Sequence, residues 1–417
     1  MFQSASKAKY NMPSISVPIA GVDADCRSQL EYALTFVSEE IQSYRINGAN
    51  STIEIEVSTE AVCESVSQKI RELVQRYEKR EFGLPRAVEF KQERELPIVD
   101  AWSGLLDRKW VTPVGQGHVI LRGMAAKLFS LIDAKVDAVF ARFFQAEREF
   151  YPATILCTTL DRIHHFTSFP EHVDFVAHLK GDLAVLNEFS SECREQGWSP
   201  TLHNGRMAEN DFAICPSCCY HCYEGMEDWR LEYPGRCTTM AVPCHRYEGA
   251  NHRTMTRLRS FTQRDVVWVG HPSFVVEGRA KAEELIVKWA QEWELVGSFE
   301  TSNDMFFTQD YAVKASFQRK QQAKKELRLV IPFEKQSISV FSSNFHGATF
   351  GKAFNITVNG RPATSACVGW GYERWVYAIF SQFGFDVNQW PTRLKEEFES
   401  HKAGESIGNA RDSRLDA

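Results

Sequence analysis

The sequence lacks several features that would restrict its class at once. No stretch approaches the roughly 18 apolar residues of a membrane-spanning helix, and the polar segment Met1–Pro13 has no apolar core of signal-peptide length. The net charge of -6 leaves no excess of basic residues for a general affinity for nucleic acid. We therefore expect a cytoplasmic protein without membrane attachment, in which any site for a polyanion is local.

The cysteine usage does not indicate a disulfide framework. The eleven cysteines are an odd number, and six of them lie between Cys215 and Cys244. Such usage is typical of reduced thiols and metal ligands. The overlapping pairs in Cys215–Cys222 suggest, taken alone, half of a structural zinc site that Cys237, Cys244 or His245 would complete. The alternative is that these cysteines are small buried apolar side chains.

The chain length predicts one large domain with a smaller one. Residues 1–95 read as a small α+β domain, with strand, helix, strand, helix and strand between Ser14 and about Phe90. The first helix is predicted from apolar residues at helical spacing, and the strand after it from alternation over Ile53–Val57. Residues 1–100 carry sixteen acidic and twelve basic side chains, a balance that does not favour tRNA binding. The residues of the predicted first helix are Leu30, Leu34, Val37, Ile41 and Tyr44.

Residues 96–395 read as a second, larger α+β domain. A long helix is predicted over roughly Gly123–Arg148, and short strands over Val266–Val269, Glu326–Ile331 and Ile338–Ser342. This order favours an antiparallel β-sheet flanked by helices. Residues 396–417 are polar and are expected to form a disordered tail.

Two strands around residues 240–269 carry the parts of a nucleotide site. Alternate residues share one face of a strand, so Arg246 and Glu248 follow Cys244 on one side of the first strand. On the returning strand, one face carries Arg257, Arg259, Phe261, Gln263 and Asp265. ATP requires guanidinium groups for its phosphates, a flat apolar surface for adenine and an acceptor for the adenine amine.

We therefore predict that Arg246 binds the α-phosphate, Glu248 accepts from the adenine amine and Phe261 stacks on adenine. Further on, Gly369–Arg374 reads as a Gly-x-Gly-x-x-Arg turn that opens a helix and places Arg374 over the triphosphate. Together these features point to ATP-driven adenylation. Each is weak alone, since short motifs also arise by chance and paired arginines such as Arg257 and Arg259 often lie on a solvated edge.

Three segments resemble the motifs of class II aminoacyl-tRNA synthetases. Pro243–Glu248 with Arg257–Gly270 is similar to motif 2, and Cys367–Arg374 is similar to motif 3. The helix ending at Tyr151-Pro152 resembles motif 1, which implies a homodimer. A narrower resemblance is to the amino acid:[carrier protein] ligases, relatives of the atypical seryl-tRNA synthetases of methanogens. It is carried by Phe166–Pro170, Ser343–His346, Phe350-Gly351, Ala366–Gly369 and Trp390-Pro391.

The resemblance implies an active-site zinc held by Cys219, Asp265 and Cys367. Three protein ligands leave a fourth position open, as is typical of catalytic zinc. That position would receive the amino group of the substrate amino acid. Asp265 departs from the family pattern, which has glutamate there, although its position on the face that carries Phe261 supports it independently.

The predicted function is activation of a small amino acid by ATP, with Mg²⁺, to an aminoacyl-adenylate. Arg246 and Arg374 would be catalytic, and Asn344 would contact the substrate unless the backbone satisfies its amide. The resemblance implies that the acceptor is the phosphopantetheine thiol of a carrier protein. The alternatives are a seryl-like aminoacyl-tRNA synthetase and a non-catalytic, zinc-stabilised interaction protein with the same fold.

Overall fold

The chain forms two compact units. A computed structural model describes residues 13–22, 30–47, 51–78, 87–208, 211–247, 254–302 and 323–401. The described part of the first unit lies within residues 13–78, and that of the second within residues 87–401. The strand Val88–Gln92, which lies within the predicted domain of residues 1–95, pairs with Gly297–Thr301 in the large sheet of the second unit.

The first unit is a three-stranded antiparallel sheet with helices. Its strands are β1 (Ser14–Pro18), β2 (Ile41–Asn47) and β3 (Thr52–Val57), in the order β1-β3-β2. Helix α1 (Cys63–Glu78) and the helical residues 30–34 accompany the sheet. Apolar side chains from these elements form one buried cluster, so the predicted small α+β arrangement has its own core.

Strand β2 lies where the sequence predicted the second half of a helix. Ile41 and Tyr44 are three residues apart, a spacing that fits a helix, yet both belong to a strand paired with β3. The register shifts between Ile41 and Ser43. A β-bulge adds one residue to the alternation, so two inward side chains become three residues apart and imitate the helical period.

The second unit contains fifteen described strands and ten described helices of the α type. In chain order, the strands are β4 (Val88–Gln92), β5 (Val111–Gly115), β6 (His118–Leu121), β7 (Glu147–Arg148), β8 (Thr154–Leu156), β9 (Phe212–Ile214), β10 (Arg230–Leu231), β11 (Gly235–His245), β12 (Ser260–Gly270), β13 (Gly297–Thr301), β14 (Lys324–Ile331), β15 (Gln336–Gly347), β16 (Thr357–Val358), β17 (Arg361–Pro362) and β18 (Thr364–Gly371). The helices are α2 (Ala101–Asp107), α3 (Gly123–Val136), α4 (Cys157–Arg162), α5 (His165–Ser168), α6 (Leu183–Gln196), α7 (Cys219–Gly225), α8 (Pro272–Glu292), α9 (Thr349–Ala353), α10 (Tyr372–Phe383) and α11 (Thr392–Ser400).

Eight of these strands form one sheet, in the order β4-β13-β14-β15-β18-β12-β11-β7. Every neighbouring pair is antiparallel except β11 and β7. The predicted short strands fall inside β12, β14 and β15. The predicted fold class, an antiparallel sheet flanked by helices in an α+β protein, is confirmed. Among the described residues, no helix is long and apolar enough to cross a membrane.

The two faces of the central strands pack against different clusters of side chains. One face belongs to the large apolar core, which includes Ile132 of α3, Trp289 of α8 and Trp375 of α10. The other face belongs to a smaller cluster, where cysteines from α7, β11 and β18 pack against Phe350 and neighbouring side chains. Residues on this second face are therefore packed among cysteine and apolar side chains.

Two predicted boundaries differ from the structure. The helix predicted over Gly123–Arg148 ends earlier: α3 passes into a wider π-helical turn, Asp137–Ala141, and the chain then enters the edge strand β7. Near the C-terminus, α11 continues to Ser400, past residue 396 where the disordered tail was predicted to start. Leu394 and Phe398 lie four residues apart and are both buried, so they anchor this helix. Residues 402–417 lie outside the described residues.

A buried arginine ties α3 to the central strand β12. Arg264 lies 2.6 Å from an oxygen of Asp133 and 3.1 Å from an oxygen of Asp137. Asp133 also accepts a hydrogen bond of 2.6 Å from the hydroxyl of Tyr372 at the start of α10. Arg264 and its partners lie on the face of β12 opposite to Asp265. Their ion pairs therefore hold the strand in place from that opposite face.

Candidate active site

Three of the sequence-predicted residues meet in a compact, buried group. One ligand atom each from Cys219, Asp265 and Cys367 lies within 4.8 Å of the other two. All three side chains are buried. Over the described ranges, this is the one group of three or more histidine, cysteine, aspartate or glutamate side chains with such spacing. The structure thus brings together residues that are up to 148 positions apart.

Backbone pairing explains why this group forms. Asp265 of β12 lies opposite Gly369 of β18, and two residues earlier on β18 lies Cys367. Cys219 is the first residue of α7, which packs over this face. A Cβ atom on Gly369 would lie 2.3 Å from Oδ1 of Asp265, so the glycine is needed for the carboxylate to occupy this position.

The electrostatics of the group suit a cation. Burial raises the pKa of Asp265. A hydrogen bond with Cys367, burial and the nearby Asp265 charge raise the pKa of Cys219 well above its usual value. Without a cation, burial therefore disfavours the charged forms of Asp265 and Cys219. Two thiolates and one carboxylate carry three negative charges, which a divalent ion would largely offset, and this donor set is one that Zn²⁺ prefers.

Two further side chains surround the sulfur of Cys367. The amide nitrogen of Asn344 lies 3.6 Å from this sulfur, and Nε2 of His346 lies 3.8 Å from it. The Asn344 amide also donates to Oγ of Ser342 at 3.2 Å. Asn344, predicted as a substrate contact, is thus next to the three-residue group, as is His346, for which sequence reasoning found no role.

Among the residues that the structure describes, the remaining cysteines do not form a second group of potential metal ligands with such close spacing. The thiol of Cys244 interacts with the thiols of Cys215 and Cys218, whereas Cys237 belongs to the apolar core on the other face. The Cys222 thiol lies 3.3 Å from Oγ1 of Thr238. Of the candidates for completing a structural zinc site, Cys244 is therefore the one that the fold brings to Cys215 and Cys218.

Arg246 is connected through Gln263 to Asp265, one of the three residues of the buried group Cys219, Asp265 and Cys367. Its Nε donates to the carbonyl oxygen of Pro216 at 2.8 Å, and its guanidinium carbon lies 5.4 Å from the ring centroid of Phe261. Nη2 lies 3.5 Å from Oε1 of Gln263, and the Gln263 amide donates to Oδ1 of Asp265 at 3.0 Å. The predicted phosphate-binding arginine and adenine-stacking ring thus lie together, on the strand face that carries Asp265.

The other residues predicted to bind ATP have different surroundings. Strand β12 begins at Ser260, so Arg257 and Arg259 lie before the strand and not on its face as predicted. Arg259 forms an ion pair with Asp174, with Nε 3.1 Å from Oδ2, and its guanidinium carbon lies 5.0 Å from the ring centroid of Tyr247. Part of its charge is therefore neutralised within the protein. Glu248 lies outside the described residues.

Arg374 is positioned by the end of β18 and the first turn of α10. Its Nη1 donates to the carbonyl oxygen of Ser339 at 3.2 Å. Glu373, next to it, is buried, and both carboxylate oxygens lie 2.9 Å from the backbone nitrogen of Thr262. The carboxylate of Glu373 therefore clamps the start of α10 to β12, between Phe261 and Gln263. Sequence reasoning assigned Glu373 no role, although it lies inside the quoted motif.

Glu373 should make the stability of the second unit depend on pH. Burial raises its pKa from 4.5 to about 7. A raised folded pKa means that the stabilising contribution is fully present below pH 4.5 and is lost as the pH rises through about 7. Relative to Glu373→Gln, the wild type should lose roughly 3 kcal/mol of unfolding free energy across this range. Urea unfolding at several pH values measures it.

Tryptophan fluorescence is the appropriate signal for this experiment, because all ten tryptophans lie in the second unit. The exposed Glu396 provides a matched control. Glu396→Gln should follow the wild-type profile at every pH. If the wild-type and Glu373→Gln profiles ran parallel, the carboxylate would not carry the expected proton.

Solved structures with a similar fold belong to synthetases. The complex of Methanopyrus kandleri SerRS with Aquifex aeolicus tRNASec superposes with a TM-score of 0.69 at 19% identity, covering 93% of this chain and 77% of that one. A cytoplasmic serine-tRNA ligase from Naegleria fowleri with AMP gives a TM-score of 0.57 at 10% identity, covering 82% and 80%. This chain has the class II aminoacyl-tRNA synthetase fold. At such identities the superpositions establish the fold alone.

Sequence comparison finds relatives among ligases of two kinds. The amino acid–[acyl-carrier-protein] ligase 1 of Bradyrhizobium diazoefficiens is 28% identical over 249 residues, 59% of this chain and 74% of the ligase. The type-2 serine–tRNA ligases of Methanocaldococcus jannaschii and Methanopyrus kandleri are 26% and 25% identical over 68% and 71% of this chain. The matches span only 56% and 59% of those two proteins. No protein-family model matches the chain.

The chain is thus similar in sequence to an amino acid–[acyl-carrier-protein] ligase and to type-2 serine–tRNA ligases, and it shares the class II synthetase fold. The resemblance to amino acid:[carrier protein] ligases and to methanogenic seryl-tRNA synthetases is therefore confirmed. The use of ATP and the choice between the two kinds of acceptor belong to the proposal below.

Proposed function

We propose that this protein activates a small amino acid with ATP and transfers it, through an aminoacyl-adenylate, to the phosphopantetheine thiol of a carrier protein. The observation that carries the proposal is the buried group of Cys219, Asp265 and Cys367, linked through Gln263 to Arg246. The three side chains would hold a metal ion that binds an amine, and the guanidinium of Arg246 would bind a phosphate. Both thus lie at the same face of β12. An amino acid bound between them would bring its carboxylate towards the α-phosphate.

In this proposal, Cys219, Asp265 and Cys367 hold a zinc ion. When bound, the ion supplies a coordination site for the neutral amino group of the substrate. The protein's own contribution is to hold the three donors in a buried face and to exclude water from it. Asn344, whose amide lies 3.6 Å from the sulfur of Cys367, is proposed to contact the same substrate.

ATP is proposed to lie along β12 and the start of α10. Arg246 and Arg374 would neutralise charge on the α-phosphate and the leaving pyrophosphate, together with Mg²⁺, and Phe261 would stack on adenine. Adenylation needs no side-chain nucleophile, because the substrate carboxylate attacks phosphorus directly. Glu248, Arg257 and Arg259 remain proposed ATP contacts, with the Asp174 ion pair of Arg259 as a competing partner.

A carrier protein is the acceptor that we favour. The carrier-protein ligase relative matches over 74% of its own length, against 56% and 59% for the two serine–tRNA ligases. The acidic balance of residues 1–100 also disfavours a polyanionic acceptor such as tRNA. A homodimer is proposed from the motif 1 resemblance of the α3 region, which is followed by the exposed side chains of Phe143 and Phe150.

Two measurements in sequence test the proposal. Amino-acid-dependent ATP–pyrophosphate exchange, with zinc-loaded protein and a panel of amino acids, should give a strong signal with one small amino acid. The radiolabelled amino acid should then pass to a carrier protein bearing phosphopantetheine, and not to the same carrier without it. Total tRNA provides the competing acceptor.

Each outcome separates the candidates. Labelled tRNA with an unlabelled carrier protein would replace the proposed acceptor by the seryl-like alternative. Absence of exchange across the panel, in protein that holds zinc, would contradict the activation step and favour the non-catalytic interaction protein.

A further inference from the structure

We propose that His165 is a ligand-contacting residue of this site, whose Nε2 donates a hydrogen bond to a phosphoryl oxygen of the bound adenylate. This inference rests on the proposed adenylation function. It extends that function to a residue that belongs neither to the sequence motifs nor to the group of Cys219, Asp265 and Cys367. His165 is the first residue of α5 and directly precedes the Phe166–Pro170 segment that carries part of the family resemblance.

The imidazole of His165 contacts the helix that begins with Cys219, and it also lies near Arg246. Its Nδ1 lies 3.2 Å from the hydroxyl of Tyr220, the residue that follows Cys219, and the two rings meet edge to face. The positive charge of Arg246 is close enough to affect the imidazole. In this proposal, a ligand that spans from the cysteines to Arg246 passes beside this ring.

The second nitrogen of the ring lacks a partner. Only 3% of the surface of His165 is exposed, and Nε2 is shielded from solvent with no hydrogen-bond partner within the residues that the structure describes. A buried polar atom without a partner carries a free-energy cost, because it has lost its hydrogen bonds to water. Such atoms in native proteins are commonly completed by a water or a ligand. An anionic oxygen of a ligand would remove this cost.

The protonation state of His165 fits a donor role. Burial, with a contribution from Arg246, lowers the pKa of the imidazole to about 4, so the ring is neutral near pH 7. If Nδ1 accepts from the Tyr220 hydroxyl, the single ring proton lies on Nε2. A neutral donor adds a second hydrogen bond to a phosphoryl oxygen without placing a second cation against Arg246.

Two substitutions distinguish this contact from a structural role. The side-chain amide nitrogen of glutamine reaches the position of Nε2, whereas asparagine can replace only Nδ1 and its contact with Tyr220. Equilibrium binding of AMP and of adenosine to His165→Asn and His165→Gln therefore probes the phosphate contact by itself. His165→Asn should bind AMP about tenfold more weakly than the wild type and adenosine equally well. His165→Gln should bind both ligands within about threefold of the wild type.

The outcomes also separate this inference from the proposed function. AMP affinity of His165→Asn equal to that of the wild type, or equal losses of AMP and adenosine affinity, would overturn the contact. If His165→Asn does not fold, as judged by tryptophan fluorescence, a tenfold selective loss of AMP affinity in His165→Gln would overturn it as well. A wild type that binds AMP and catalyses exchange keeps the proposed function intact in all these cases. A wild type that does neither removes the function on which the contact depends.

Discussion

Cys219→Ala and Cys367→Ala are each expected to release bound zinc and to reduce ATP–pyrophosphate exchange by at least about a hundredfold. The two sulfurs and the Asp265 carboxylate are the ligand atoms within 4.8 Å of one another. Removing either sulfur leaves two protein donors, too few to hold a tetrahedral ion tightly. Loss of outer-shell partners alone already costs 10–100-fold in comparable metal sites. Metal content by mass spectrometry and the exchange rate measure the two effects on the same preparation.

Cys222→Ala is the matched control for this prediction. Cys222 lies on the same helix as Cys219 and is equally buried, but its thiol contacts Thr238 and not the metal-type group. The variant should keep wild-type zinc content and activity, with only the modest loss of stability expected for a truncated core thiol. Wild-type zinc and exchange in Cys219→Ala or Cys367→Ala would contradict the proposed metal centre.

The second large effect is expected at the two arginines proposed to be catalytic, Arg246 and Arg374. Arg246→Ala and Arg374→Ala should each lower kcat/KM for exchange by about 10³-fold or more, because a guanidinium that stabilises charge on a transferred phosphoryl group contributes on that scale. Lysine should not restore the rate at Arg246. Its single ammonium cannot hold the Pro216 carbonyl, face Gln263 and bind a phosphate simultaneously.

An exposed arginine provides the comparison for these variants. Arg361 of β17 is exposed, so Arg361→Ala removes the same charge without altering the strand face. It should retain wild-type exchange. A decrease of less than tenfold in either Arg246→Ala or Arg374→Ala would show that the arginine does not stabilise the transferred phosphoryl group. Unfolding of each variant, monitored by tryptophan fluorescence, shows whether a lower exchange rate comes from the missing side chain or from a destabilised fold.

Local patterns in the sequence were sufficient for some of these residues. Alternation along one strand placed Phe261, Gln263 and Asp265 on a common face, and β12 has this arrangement. Alternation also located the core of β14 and β15. A period of two residues is a property of any extended chain, so it survives whatever the tertiary environment is.

The same reasoning failed where tertiary contacts altered the period. The bulge in β2 imitated a helical spacing, and the helix starting at Gly123 gave way to a π-helical turn whose Asp137 is held by Arg264. Arg259 appeared free to bind phosphate until the fold placed Asp174 against it. Arg264 and Asp174 are distant in sequence from the residues that they pair with, so no local pattern could have indicated these two contacts.

The sequence by itself determined the fold class, the strand that carries Asp265 and, through the family resemblance, which two cysteines accompany it. Only the tertiary structure decided that the three ligand atoms meet, that Glu373 clamps β12 through Thr262, and that His165 is buried beside Arg246. The physical reason is that periodicity fixes the direction of a side chain relative to its own backbone. Distances between elements depend on strand pairing and packing, which arise only when the whole chain has folded.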